Sequence, residues 1–171
     1  MDRPETTDGV AFEPLLNLEI EMTTFTTDWS HCDRLSNYVA RMVSHDRRDP
    51  IRHANLLSSA INELLEMSFR TGAHEGELEC ELYRCSQLER IKLTFPCPPS
   101  QRHDLNEAIL SMKEGPNLLP YLEVIASDVA PLDQATLLGL VVNYDAAIRV
   151  GDSTAERLTL VVDLPLEGLL H

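Results

Sequence analysis

The stretch ANLLSSAINELLEMSFRTG, residues 54–72, decides the fold. Leu56, Leu57, Ala60, Ile61, Leu64, Leu65 and Ser68 recur at steps of three and four, which places them on one face of a helix turned toward a core. Glu63 lies at the edge of that face, Met67 follows one turn later, and Gly72 supplies a stop.

Upstream, Leu16, Leu18, Ile20 and Met22 alternate with Asn17, Glu19 and Glu21, the period of a half-buried strand. Residues 1–13 are polar and read as a flexible N-terminal tail, leaving 14–171 as a single domain. Asp28 or Ser30 can cap a helix from His31 to Ser44 with an apolar stripe of Cys32, Leu35, Val39, Met42 and Val43, which HDRRDP then breaks.

Downstream, Leu78, Cys80 and Leu82 alternate with glutamates, and Ile91, Leu93 and Phe95 alternate with Lys92 and Thr94. These two strands predict a hairpin around Ser86 to Glu89. The segment PCPPSQRHD, residues 96–104, carries prolines that remove ladder donors, and it reads as an exposed connection. Helical patterns follow over 104–113, 117–127 and 132–144, and strands over 147–150 and 157–164, the last two joined by GDSTA. This order predicts an α+β two-layer sandwich, a mixed β-sheet covered on one face by helices and polar on the other.

At 171 residues the chain suits one domain, and 43% hydrophobic with 25% charged residues is ordinary globular composition. Twenty-eight acidic against 14 basic residues give a net charge of −14, which repels phosphate backbones and anionic lipid. Nucleic acid and membrane are therefore excluded as expected partners, whereas a basic protein surface is compatible. There is no long apolar window and no signal-peptide pattern, so a cytoplasmic location is expected. Cys32, Cys80, Cys85 and Cys97 lack paired CxxC spacing and read as reduced, mostly buried thiols. The six histidines form no metal motif; His45, Asp46 and Asp49 sit beside Arg47 and Arg48, and this segment reads as a solvated turn with no metal site.

Glu63 can act as a general base only if a substrate proton comes within reach; the alternative is a solvated helical glutamate. No GxxxxGK[ST] or GxGxxG loop is present. Gly139, inside the apolar run DQATLLGLVVNYDA, costs about 1 kcal/mol relative to alanine in a helix, which implies close helix packing or backbone approach to a ligand.

Taken together, NELLEMSFRTG, the strand pair after it and TLLGLVVNYDAAIRV resemble the histidine-kinase-like (GHKL) ATPase fold, in its branch of bacterial anti-sigma-factor serine kinases and SiaB-like regulators. The resemblance spans Leu16 to Leu164. It implies that Glu63 matches the family's general base and that Met67 stands where an asparagine holds magnesium. A thioether does not replace a hard oxygen donor. FPCPPSQRHD has no DxGxG. Ala135 to Leu140 keeps only Gly139 of a glycine-rich phosphate-binding helix start, with Thr136 and leucines in place of the other glycines.

The resemblance thus implies a degenerate, non-catalytic regulator acting by protein–protein binding, with Thr136 and Gly139 as remnants of a nucleotide site. No cofactor is expected, and ATP and magnesium are disfavoured. The expected partner is an antagonist-type domain, a sigma factor or a response regulator, met by Gly115 to Tyr144 and PCPPSQRHD. A homodimer through the N-terminal strand is a further expectation. Two alternatives stand beside this reading: an ATP-binding serine/threonine protein kinase using Glu63, and a structural or assembly subunit on an unrelated fold.

Overall fold

A computed structural model of the chain describes residues 5–7, 10–112, 132–152, 154 and 156–169. The fold is α+β, a sheet with helices packed on one face. Strands β1 (Glu5–Thr7), β2 (Val10–Glu21), β3 (Glu77–Cys85), β4 (Leu88–Pro96), β5 (Ala147–Val150) and β6 (Arg157–Leu164) lie in the order β1-β2-β3-β4-β6-β5. Every neighbouring pair is antiparallel, so the sheet is antiparallel throughout and not mixed as expected. The reason lies in the connections: β3 and β4 are joined by a two-residue turn in which Ser86 takes φ 55, and tight turns reverse direction.

The helices are α1 (Met22–Phe25), α2 (Ser30–Ser44), α3 (Pro50–Thr71), α4 (Pro99–Met112), α5 (Leu132–Tyr144) and α6 (Leu166–Leu169). The core joins the inner side chains of the sheet, among them Leu78, Cys80, Leu82, Ile91, Leu93 and Leu160, to Val39, Leu57, Ile61, Leu64, Ile109 and Leu140 of the helices. The other face is polar, as expected. Its cross-strand pairs include Arg90 with Asp163, Lys92 with Glu81, and the Thr94 and Thr159 hydroxyls at 3.0 Å.

Order begins earlier than the expected tail allows, because residues 5–7 and 10–13 lie in strands β1 and β2. Strand β2 carries a bulge. Pro14 opposes Tyr83 and Leu16 opposes Leu82, leaving Leu15 as an extra residue. Even-numbered residues after the bulge face the helices; before it they face the other way. Phe12 thereby reaches the outer face, where the Arg90 guanidinium lies 3.9 Å from its ring centroid.

Helix α3 starts at Pro50, four residues before the expected stretch, because Asp49 caps it by accepting from the Arg52 N–H at 3.3 Å, and proline suits the first turn. In α2 the buried stripe is Cys32, Ser36, Val39, Ala40 and Val43, while Met42, expected inside, is exposed. The PCPPSQRHD segment is not an exposed connection. Pro96 ends β4, Cys97 is buried and Pro99 opens α4, so only Cys97 and Pro98 link strand to helix. The pattern over 117–127 lies outside the described residues. Helix α5 and strands β5 and β6 have the expected bounds.

Gly72 ends α3 for want of space. Its backbone is extended (φ −72, ψ 155), and an added Cβ would stand 2.6 Å from the Ser68 carbonyl oxygen and 2.8 Å from Met22 Cε. Gly72→Ala is accordingly expected to cost about 1–3 kcal/mol, seen as a lower urea midpoint. An unchanged midpoint would mean that the chain end shifts freely.

Candidate functional site

The sequence-derived site residues lie on two helices, Glu63 on α3 and Thr136 and Gly139 on α5. Glu63, on α3, is half-buried; its Oε2 atom is buried and accepts no hydrogen bond. Burial, and then the charge of Glu66, hold its carboxyl above the usual range. Tyr144, at the end of α5, responds to the same surroundings: burial and the Glu63 charge push its phenol up, opposed by a hydrogen bond with Ser59. Asn62 donates to Glu66 at 3.1 Å, while its own carbonyl oxygen is buried without a partner.

Met67 and Glu63 do not share this environment. Residues four apart differ by about 40° around a helix, and that step carries Met67 wholly into the core at 0% exposure. Thr136 and Gly139 both lie on α5, with Gly139 buried. Thr136 is engaged: Arg70, in the last turn of α3, donates to Asp133 Oδ1 at 3.2 Å and reaches Thr136 Oγ1 at 3.5 Å. Burial raises the Asp133 carboxyl against the pull of Arg70. The first turn of α5 is thereby clasped to α3 by side chains of the protein itself. Glu66, Arg70, Asp133 and Tyr144 were missed by sequence reasoning; Arg70 and Asp133 are 63 positions apart, and no local pattern joins them.

Two clefts carry acidic linings. One, of about 370 Å³, lies between α4 and α5 and is lined by Gln101, Asp104, Leu105, Glu107 and Asp133. The other, of about 500 Å³, is lined by Glu75, Glu77, Pro96, Cys97, Glu156 and Arg157. The proline-rich segment thus lines the second cleft. Carboxylates predominate in both clefts, which disfavours a polyanionic ligand and favours a cationic surface.

Because the raised Glu63 pKa lies above its ordinary value of 4.5, ionising the group opposes folding. No penalty exists where both folded and unfolded forms are protonated; it grows as pH rises from the ordinary value through the folded one. Glu63→Gln is therefore expected to raise the melting temperature at pH 7 but not at pH 3. Equal melting shifts at both pH values would refute this origin.

A second constellation lies at the other end of α3. Glu89 Oε1 accepts from Arg84 Nε at 2.8 Å and from His53 Nε2 at 3.1 Å. Arg47 Nη2 stands 3.2 Å away as an ion pair without hydrogen-bond alignment, and it also neighbours Glu167. Since the carboxylate only accepts, Nε2 carries the hydrogen, and Nδ1 meets the Ser44 hydroxyl at 2.6 Å. The chain of serine, histidine and carboxylate has the connectivity of a nucleophile relay. With Ser44 1%, His53 0% and Glu89 0% exposed, no substrate reaches it, and it ties α2, α3 and the β3–β4 hairpin together. HDRRDP is the expected turn, with His45, Asp46 and Arg48 exposed, but it is also anchored: Arg47 pairs with Glu89 and Asp46 with Arg84.

All four cysteines are free, and burial pushes the Cys32 and Cys97 thiols up to about 11 and that of Cys80 to about 12, which makes them poor nucleophiles. Among the described residues, no group of three or more His, Cys, Asp or Glu side chains is placed to hold a metal, and no helix is long and apolar enough to cross a membrane.

No protein-family model and no curated protein matches the chain. Among solved structures it is similar to a chain in the crystal structure of the SiaB–SiaC complex from Pseudomonas aeruginosa, with a TM-score of 0.59 and 10% identity over 89% of this chain and 90% of that one. At that identity the likeness shows a shared fold.

Proposed function

We propose that this chain is a non-catalytic regulator on a degenerate GHKL-type scaffold, working by binding a protein partner in a bacterial partner-switching or signalling pathway. The observation that carries the reading is the clasp of Arg70 onto Asp133 and Thr136, which fills with protein side chains the place where the resemblance would put phosphates. Met67 in the core supports it, since no oxygen donor stands there. The similar solved structure belongs to a two-protein complex, which speaks for a protein partner of the kind expected: an antagonist-type domain, a sigma factor or a response regulator. The acidic clefts beside α4 and α5 suit a partner with a basic surface.

A kinase is the second reading, and the unpartnered Glu63 oxygen favours it, because a raised carboxyl facing a seam is how a general base is poised. Calorimetric titration with magnesium-ATP separates the two. The regulator binds no tighter than roughly 100 μM, about 5 kcal/mol. Tighter binding that disappears in Glu63→Gln overturns it in favour of the kinase.

A further inference from the structure

The α2–α3 corner differs in charge from the rest of this acidic chain. Five of the 14 basic residues, Arg34, Arg41, Arg47, Arg48 and Arg52, fall within residues 34–52. All but Arg47 are exposed. Among the described residues, neither Arg41 nor Arg52 has its side chain in an ion pair. Two of the nearby carboxylates are occupied, Asp46 by Arg84 and Asp49 by the start of α3, while Asp33 is exposed a turn or more away along α2.

The same corner exposes apolar surface. Tyr38 is 57%, Met42 51% and Ile51 75% exposed, although each belongs to a helix that buries its other face. Tyr38, Arg41, Met42 and His45 follow the i, i+3, i+4, i+7 spacing of one helical stripe. A groove of about 370 Å³ runs beside that stripe, with Arg41 and His45 on one wall and Pro50, Ile51, Ala54 and Asn55 on the other. Tyrosine, methionine and arginine are the types enriched at protein interfaces, where an apolar centre is ringed by charge.

From the groove, the exposed stripe and the local excess of arginine, we infer that the α2–α3 corner is a docking surface for an acidic amphipathic segment of a partner protein. An apolar side chain of that segment seats in the groove against Ile51 and Ala54, and its carboxylates meet Arg41, His45 and Arg52. Charge complementarity selects this occupant: a −14 chain repels an acidic segment overall, whereas this corner gathers five of its 14 basic residues. Ile51 lies 19 positions, roughly 28 Å along α3, from the Arg70 clasp, so the inference stands whether or not nucleotide binds at the seam.

The test is selection of 16-residue peptides from a random display library on the whole protein, with the winners remeasured by fluorescence polarisation against Ile51→Asp, Arg41→Glu and, as a remote control, Glu63→Gln. Ile51 and Arg41 are exposed, so both variants should keep the parent's melting temperature within a few degrees. The expected result is enrichment of peptides with net negative charge and one or two large apolar residues. They should bind at least tenfold more weakly to Ile51→Asp and Arg41→Glu, keep their affinity for Glu63→Gln, and weaken with salt.

Enrichment of basic peptides, no enrichment at all, or winners indifferent to both corner variants overturns the proposal. Co-sedimentation with vesicles of 30% phosphatidylserine that depends on Arg41 and Ile51 would make the corner a membrane contact instead. A concentration-dependent dimer abolished by Ile51→Asp would assign it to a second copy. Either result also overturns the proposal.

Discussion

Replacing Glu89 by alanine should remove about 3–5 kcal/mol of folding stability, since breaking a buried ion pair strands its partners. Arg84 would lose its 2.8 Å acceptor and His53 its 3.1 Å one, and Arg47 would keep only the more distant Glu167. Arg84 would retain its bond to the Val43 carbonyl and its pairing with Asp46, which limits the damage at that one arm. Urea unfolding of Glu89→Ala beside the parent measures the loss; a fall below about 1 kcal/mol would mean that water replaces the carboxylate easily. The double substitution Glu89→Leu with Arg84→Met should recover only part of the difference, because it removes the stranded Arg84 charge while Arg47 and His53 still lose their carboxylate. Removing the whole pair is thus expected to be milder than removing half of it.

Met67→Asn, which would install the oxygen donor that the family resemblance calls for, should cost about 3 kcal/mol or more and yield no magnesium-ATP site. Position 67 is fully buried in the core, so the amide gives up the packing of the thioether and must find partners where apolar side chains dominate. Met67→Leu is the control, expected to cost less than about 1.5 kcal/mol because volume and polarity are kept. Thermal unfolding of both variants, with and without magnesium-ATP, reads the result. If Met67→Asn stays as stable as the parent and is further stabilised by the nucleotide, position 67 faces a working pocket and the regulator reading fails.

Local periodicity made much of the architecture legible. The apolar faces of α3 and β3 were found from spacing alone, as were the bounds of α5, β5 and β6, because each buries one regular stripe. Pro99 misled, since the residue that cannot continue a strand can open a helix. Met42 misled in another way: an apolar residue beside a buried stripe was assigned to it, and the helix turns it to solvent. The contacts around the candidate residues were not legible. Arg70, which joins α3 to α5, pairs with residues 63 and 66 positions away, and periodicity carries no such information. The Glu89 network was invisible for a related reason: charged residues read one at a time look solvated, and only their convergence permits burial.

Strand β2 has an apolar residue at every even position from 10 to 20, Val10, Phe12, Pro14, Leu16, Leu18 and Ile20. The bulge at Leu15 changes the parity midway, so one uniform stripe serves two layers, Leu16 to Ile20 for the helices and Phe12 for Arg90 behind the sheet. This has a consequence for which insertions and deletions the strand can absorb. Both halves already pair with β3 as if Leu15 were not there, so deleting it removes the kink and leaves each side chain on its present face. Deleting any single residue from 17 to 21 would instead exchange inside for outside along the shifted segment, and drift in chain length there would be confined to steps of two.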